Sequence, residues 1–348
     1  MNARKASRSG GAGRGASGRL RASREPGSGG ARPGVRERRQ EAGATGPETP
    51  GAALPERPPR AAPNERPLIT FLSDFGHQDW FVGVVHGVLH EGCPAARIVD
   101  LNHDTLPGRI ARAAFVLEAA APDFPPGTVH LVVVDPGVGT SRRALAVRAR
   151  GQLFVGPDNG VLEWGLADPA ARVRELTEAG WFRRPVSRTF HGRDVFAPVA
   201  ARLAAGAAFE EVGPEVADPV RLGRRPPARA AGELRGHVAY VDRFGNALTQ
   251  ITEDDLADAF PRVPEARLQV RVAGRIVRGL ARSYGDAPVG TILAIVGSSG
   301  RLEIAQVGGD AADRLGIGEG DEVAVLADDG DDEAPDRGGP GPARRRGV

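Results

Sequence analysis

Apolar and polar positions along the chain fall into two regimes. From Pro67 to about Ala205, short apolar runs alternate with segments whose apolar residues recur at helical spacing. Pro67–Asp74 (PLITFLSD) reads as a buried strand ending in a loop, and Phe81–Leu89 (FVGVVHGVL) as a helix. Arg97–Leu101 predicts a second strand, Gly108–Ala121 an Ala-rich helix, and Val129–Asp135 (VHLVVVD) a third strand that is apolar almost throughout. Ala144–Val147 and Leu153–Val155 continue the sheet, and a further helix fits Val195–Ala205. Apolar strands alternating with helices indicate a mostly parallel sheet with helices on both faces. The second regime begins after a Pro- and Arg-rich stretch. Glu233–Val241, Ala247–Ile251, Arg267–Val272, Arg275–Val277, Thr291–Val296, Leu302–Ala305 and Glu322–Leu326 are short strands joined by Gly- and Asp-bearing turns. That pattern predicts a smaller, C-terminal all-β barrel domain.

The expected organisation is therefore a tail over 1–66, an N-terminal α/β domain over 67–213, a linker over 214–231, a β-barrel domain over 232–327 and a second tail over 328–348. Residues 1–66 are rich in Gly, Ala, Ser, Pro and Arg, have no aromatic residue and show no periodic apolar run, a composition that cannot offset the entropy of ordering. Charge sharpens this division. The whole chain has 46 Lys/Arg and 44 Asp/Glu, but residues 1–66 hold 14 basic and 6 acidic side chains, leaving 32 and 38 for the remainder. The folded part is thus mildly acidic. A basic tail without aromatics favours a solvated extension over a nucleic-acid contact. No apolar run is long enough to span a membrane and no signal-peptide pattern is present, so the expected address is cytoplasmic.

Cys93 is the single cysteine and Lys5 the single lysine. Together they exclude an intramolecular disulfide, a CxxC pair and a cysteine-rich zinc site, and they leave the folded part without a P-loop or Schiff-base lysine. What remains is carboxylate, arginine, histidine and amide chemistry. In open parallel sheets, ligands collect at the carboxyl ends of the strands. Asp74, Asp135 with the loop to Thr140, and Pro157-Asp158-Asn159-Gly160 all fall at such ends. A strand-end Asp can accept ribose hydroxyls or cap a helix, and PDNG is also an ordinary turn. Gly137–Arg143 (GVGTSRR) lacks the glycine spacing and lysine of a phosphate cradle. His191, in FHGRD just before a predicted helix, suits either a positioned base or a helix cap. His86 and His90 lie four apart on one helix, but no Glu follows the first histidine as a metalloprotease motif requires, so no metal is expected. Asp242, Phe244 and Asn246 crowd one turn of the β domain, where a ring can stack on a purine, an amide can read its edge and the Asp can bind an ammonium, or where a β-bulge simply buries the Phe.

The ordered set ITFLSDFG (69–76), VVVDPGVGTSRR (132–143), VGPDNGVL (155–162), FHGRDVFAP (190–198), VDRFGNALTQI (241–251) and GSSGRLEIA (297–305) resembles the S-adenosyl-L-methionine (SAM) hydroxide adenosyltransferase family, the adenosyl-forming SAM hydrolases, which are related to SAM-dependent fluorinases and chlorinases. The resemblance spans about 67–327. It implies a homotrimer that binds SAM between the N-terminal domain of one subunit and the C-terminal domain of its neighbour. It also implies attack of water or hydroxide at C5′ to release adenosine and L-methionine, with no cofactor beyond SAM. The family's Asp–Arg–His set falls on Asp135, Arg142 and His191, and its ribose carboxylate on Asp74. The methionine end falls on Asp242 and Ser298. The adenine end falls on Phe244, Asn246 and the backbone near Val307, with Glu303 close by.

These implied roles suit the chemistry. A sulfonium is already an excellent leaving group, so the enzyme has only to hold a water in line with the C5′–S bond and strip part of its hydration. Asp135 can orient that water and take its proton, Arg142 can hold the carboxylate, and His191 can add a hydrogen bond as imidazole or imidazolium. Positioning of this kind contributes about 7–11 kcal/mol in the best cases. Two alternatives stay open. A halogenase of the same superfamily carries Tyr at the Asp135 position; a carboxylate there would repel halide, although Gly192 alone fits a chlorinase. A silent SAM- or adenosine-binding module would have no use for the Asp–Arg–His set. Pro107-Gly108-Arg109 and Gly297-Ser298-Ser299 depart from the Pro-Gln-Asp and Asn-Ser-x usual in the hydrolases. These departures bear on one pocket wall and on the methionine carboxylate contacts.

Overall fold

The computed structural model describes residues 66–223, 226–230 and 232–328, so the readings for the two tails lie outside the described residues. Elements β1 (Leu68–Ser73), α1 (Phe81–Gly92), β2 (Arg97–Asn102), α2 (Ile110–Ala120), β3 (Val129–Val133), β4 (Ala144–Ala149), β5 (Gln152–Pro157), α3 (Glu163–Leu166), β6 (Arg172–Glu175) and α4 (Ala197–Ala204) build the first sheet and its covering helices. The strand order is β2-β1-β3-β5-β4-β6. The first four strands of that order run parallel, and β4 pairs antiparallel with both β5 and β6.

Strand alternation explains the layering. Ile69, Phe71, Val129, Leu131 and Val133 point to one face and pack with Val85 and Leu89 of α1 and Val199 and Leu203 of α4. Leu72, Val132, Leu145 and Val147 point to the other face and meet Ala113 and Leu117 of α2 and Leu166 of α3. Because β1 and β3 feed both layers, they read as continuous apolar runs rather than alternating ones. Phe71 is fully buried in the first layer, and its truncation to Ala is worth about 3–5 kcal/mol.

The predicted elements form with adjusted ends. Helix α2 starts at Ile110 rather than Gly108, because Gly108 has φ +74° and Arg109 is non-helical. The helix expected from Val195 begins at Gly192 with one π-helical turn, Gly192–Phe196, before Pro198 sits in the first turn of α4. Strand β6 (RVRE) was not expected. It is a short polar edge strand, and only its pairing with β4 makes it a strand.

The second unit comprises β7 (Ala228–Ala230), β8 (Glu233–Val241), β9 (Ala247–Thr252), α5 (Glu253–Ala259), β10 (Leu268–Val272), β11 (Arg275–Arg278), β12 (Leu280–Ala281), β13 (Ile292–Val296), β14 (Arg301–Gln306), α6 (Ala311–Leu315) and β15 (Glu322–Ala327). Its strands follow the order β11-β10-β15-β8-β9-β14-β13-β12, with β7 on β8, and curl into a nearly closed barrel. Strand β7 lies within the stretch expected to be linker. Helix α5 was also not expected; Thr252 and Asp255 form a capping box at its start.

Helix α2 joins the two sheets. Arg112 pairs with Glu319, donates to the Val241 carbonyl at 2.9 Å and lies over the Tyr240 ring, while Tyr240 stacks on Phe115. One turn further along, Glu118 pairs with Arg301. Among the described residues no helix is long and apolar enough to cross a membrane.

Candidate active site

The chain leaves β1 for β2 on one side and returns to β3 on the other, so the crevice of this sheet opens between the carboxyl ends of β1 and β3. Asp74 follows β1 and Asp135 follows β3, which puts two predicted acids at that switch point. Burial is the main influence on Asp74 and raises its pKa, with the negative charge of Asp135 adding to the rise. The Gly108 amide opposes it, donating to Asp74 Oδ2 at 2.8 Å. The left-handed conformation of Gly108 aims that amide, which gives the unusual Pro107-Gly108-Arg109 a clear local role. Arg109 turns away and reaches Glu319 at 3.3 Å.

Asp135 and Arg142 are seven residues apart but meet because 135–142 folds back in tight turns, closed by Thr140 N–H and Oγ donating to the Gly137 carbonyl. Arg142 Nε donates to Asp135 Oδ1 at 2.9 Å and to Oδ2 at 3.1 Å, and its Nη2 also pairs with Oδ2. Both side chains are largely buried. At the loop's far end Gly139 has φ +77°, and a Cβ there would stand 2.3 Å from the Arg188 carbonyl oxygen. Only glycine allows this approach, which locks the loop to the segment that carries His191.

His191 precedes the π-helical turn and makes no capping hydrogen bond with its side chain. Its Nδ1 lies 2.9 Å from Arg142 Nη2. A guanidinium can only donate, so Nδ1 is the acceptor and the neutral ring carries its proton on Nε2. Burial first, then the Arg142 charge, pushes the His191 pKa below its usual value against the opposing pull of Asp135. The imidazole is therefore neutral near pH 7. Phe196 of the same turn lies 5.1 Å from the Arg142 guanidinium, and Phe75 and Phe190 pack against Gly192. The rest of FHGRD is structural, since buried Asp194 binds Arg193 and the Ser187 amide.

The PDNG segment is a brace. Asp158 accepts from Arg143 Nε and the Val220 amide, both at 2.7 Å, and Asn159 donates to the Val134 carbonyl at 2.9 Å. Asn159 therefore fixes the backbone next to Asp135.

In the β unit, Asp242 closes its turn by accepting from the amides of Phe244 and Asn246, each at 2.8 Å, and from Asn246 Nδ2 at 3.0 Å. Phe244 is left 75% exposed. Buried Glu303 accepts from Tyr284 Oη at 2.8 Å. Burial raises the pKa of Glu303 and, with the neighbouring carboxylates, pushes the Tyr284 hydroxyl up to about 12, so Tyr284 remains a donor at neutral pH. The side chain of Glu303 fills the space where a Cβ on Gly297 would sit. Tyr284 was missed in the sequence, although SYGD at a capped turn and the presence of only two tyrosines in the chain were available signals. Val307 uses its amide on the Thr291 carbonyl and its carbonyl on the Gly290 amide. Ser298 lines a cleft with Glu118, Trp164 and Arg301. Among the described residues no hydrogen bond or ion pair joins the Asp74/Asp135/Arg142/His191 group to Asp242, Phe244, Asn246 or Glu303.

Comparison with known proteins agrees with this architecture. The SAM hydroxide adenosyltransferase N-terminal domain matches residues 69–213 and the corresponding C-terminal domain matches 236–324. An (R)-S-adenosyl-L-methionine hydrolase of Salinispora arenicola is 44% identical over 267 residues, covering 75% of this chain and 98% of that protein. The Thermus thermophilus protein of the same name is also 44% identical, over 74% of this chain and 99% of its own length. A fluorinase from Actinoplanes is 30% identical and is matched over 75% of its length. A crystal structure of a conserved Thermotoga maritima protein superposes with a TM-score of 0.71 at 40% identity, covering 74% of this chain and 99% of that one. With both domains matched in order and the relatives covered nearly end to end, the chain belongs to the SAM hydroxide adenosyltransferase family.

Proposed function

We propose that this protein hydrolyses S-adenosyl-L-methionine to adenosine and L-methionine, using Asp135, Arg142 and His191. The observation that supports this reading most directly is the hydrogen-bonded series Asp135–Arg142–His191 at the β1/β3 crevice. In the reaction an oxygen of water bonds to C5′ as the C5′–S bond breaks. The electron pair goes to sulfur, which leaves as the neutral thioether of methionine, and one proton is released. Asp135 orients the water and accepts that proton, Arg142 fixes the carboxylate, and neutral His191 donates from Nε2. Asp74 is suited to the ribose hydroxyls. No cofactor beyond SAM enters the reaction.

The carboxylate favours hydrolysis over halogenation, because an anion held where the nucleophile must sit repels halide. Incubation of the protein with SAM, with and without chloride or fluoride, is expected to give adenosine and methionine by chromatography. A 5′-halo-5′-deoxyadenosine product would overturn the hydrolase reading, and binding without turnover would favour a silent SAM-binding module.

For the substrate's other end we assign Asp242 and Ser298 to the methionine moiety, and Phe244, Asn246, Glu303 and the backbone near Val307 to the adenine, supplied by a neighbouring subunit of a homotrimer. The support is the exposure of Phe244 at 75% and Trp80 at 68%, both large apolar surfaces on loops at the two groups of site residues. Light scattering is expected to give three times the chain mass; a monomer with full activity would remove the inter-subunit arrangement.

A further inference from the structure

A second constellation of side chains lies against the end of β1, where His103 bonds Ser73 and accepts from the Gly76 amide. His86 of α1, Asp100 of β2 and His103 just after β2 place one ligand atom each within 4.8 Å of one another. His86 Nε2 stands 2.8 Å and His103 Nε2 3.0 Å from the same Asp100 Oδ1. His86 and Asp100 are partly open to solvent, whereas the His103 side chain is completely buried. Its Nε2 makes no hydrogen bond of proper geometry, even with Asp100 so close. Buried ring nitrogens are normally satisfied, so one aimed at a second imidazole and a carboxylate needs a partner. The ring is held from behind, as His103 Nδ1 bonds Ser73 Oγ at 2.7 Å and Phe71 packs edge-on at 4.6 Å between centroids. Metal-bound imidazoles are oriented in this way through the nitrogen that does not bind the ion.

We propose that His86, Asp100 and His103 form a binding site for a divalent transition-metal ion of the zinc type. Two imidazoles and one carboxylate match the borderline ligand preference of Zn2+ or Co2+ and suit Mg2+ or Ca2+ poorly. Tetrahedral coordination at ~2.0–2.1 Å separates ligand atoms by about 3.3 Å, so the two His–Asp100 contacts open by a few tenths of an ångström while the two imidazole nitrogens, within 4.8 Å of each other, close toward that spacing. His86 and Asp100 are the ligands open to solvent, and the exposed His77 ring borders His103 at 5.2 Å. The site is structural and stands outside the reaction assigned above. An ion there would tie α1 to β2 and, through Ser73 and the Gly76 amide that donates to the His103 carbonyl at 2.8 Å, would brace the loop carrying Asp74.

The test uses the untagged full chain, freed of metal with EDTA and dialysed, then titrated with CoCl2 by visible absorption and with ZnCl2 by calorimetry. One ion per chain is expected, with a tetrahedral Co2+ band that ZnCl2 displaces and a higher thermal midpoint in ZnCl2. His86→Gln and Asp100→Asn, checked for folding by circular dichroism, are expected to weaken binding at least 100-fold and to abolish the thermal shift, while His90→Gln leaves both intact. Absence of stoichiometric binding at about 1 mM metal would overturn the proposal. So would unchanged affinity in His86→Gln, or loss of binding with His90→Gln or His191→Gln instead.

Discussion

The two halves of the candidate site are built in opposite ways. At the α/β sheet, Asp135 and Arg142 are largely buried, joined through several hydrogen bonds and linked to His191, and their loop is pinned by Asn159 and by the Gly139–Arg188 approach. In the β unit, Phe244 stands 75% exposed on a turn closed by Asp242 and Asn246 and tied to α6 through the Ala312 amide. Groups that act on the reacting atoms gain most from being fixed in advance, since their contribution depends on geometry and desolvation. A surface that recognises an adenine can remain open until ligand or a second subunit covers it. The difference predicts that damage to the first half falls on turnover and damage to the second on binding.

The strongest test of that division is Asp135→Ala. Loss of a positioned general base is expected to lower kcat about 10^2–10^4-fold, with SAM still bound in calorimetry. An equal loss of binding would mean that Asp135 holds substrate and would remove the contrast.

The rigidity of the sheet half has a pH signature. His130 is buried on β3, bonded through Nδ1 to Thr70 and stacked on Phe154, and burial lowers its pKa to about 4. As pH falls through 6.5, the unfolded chain takes up a proton that the folded chain refuses. Stability is therefore lost progressively from about pH 6.5 to about pH 4, by roughly 3 kcal/mol in all. Urea denaturation across that range is expected to show the slope in the native protein and a shallower one in His130→Phe, where the His130 contribution is gone. An identical slope in both would place the acid sensitivity elsewhere.

Phe244→Ala is expected to raise KM about 10- to 100-fold with little change in kcat, from the loss of a stacking surface worth ~1–3 kcal/mol. A kcat effect as large as that of Asp135→Ala would merge the two halves. A smaller effect is expected from Arg112→Ala, which removes the Glu319 pair, the bond to the Val241 carbonyl and the contact with Tyr240. A loss of about 1–2 kcal/mol of stability should appear as a lower thermal midpoint. Because Val241 precedes Asp242, KM should rise more than kcat falls. His191→Asn should remove the acid limb of kcat/KM, which lies below the usual histidine value because burial and Arg142 depress the His191 pKa.

The chain's local patterns determined its two-part architecture, because strands that feed two layers must be apolar at every position, whereas barrel strands need only alternate. The same patterns put Asp74 and Asp135 at strand ends, where the topology of such sheets collects ligands, and the order of the motifs carried the family resemblance. Pairings across distant segments were set by the tertiary structure alone. FHGRD could not show that His191 accepts from Arg142 rather than capping its own helix, nor PDNG that Asp158 and Asn159 brace rather than bind. Helical spacing paired His86 with His90, but the packing of α1 against β2 turned His86 toward Asp100 and His103. Periodicity reports which face of an element is buried. The side chains that meet across that face depend on which elements become neighbours, and burial of the whole core decides that.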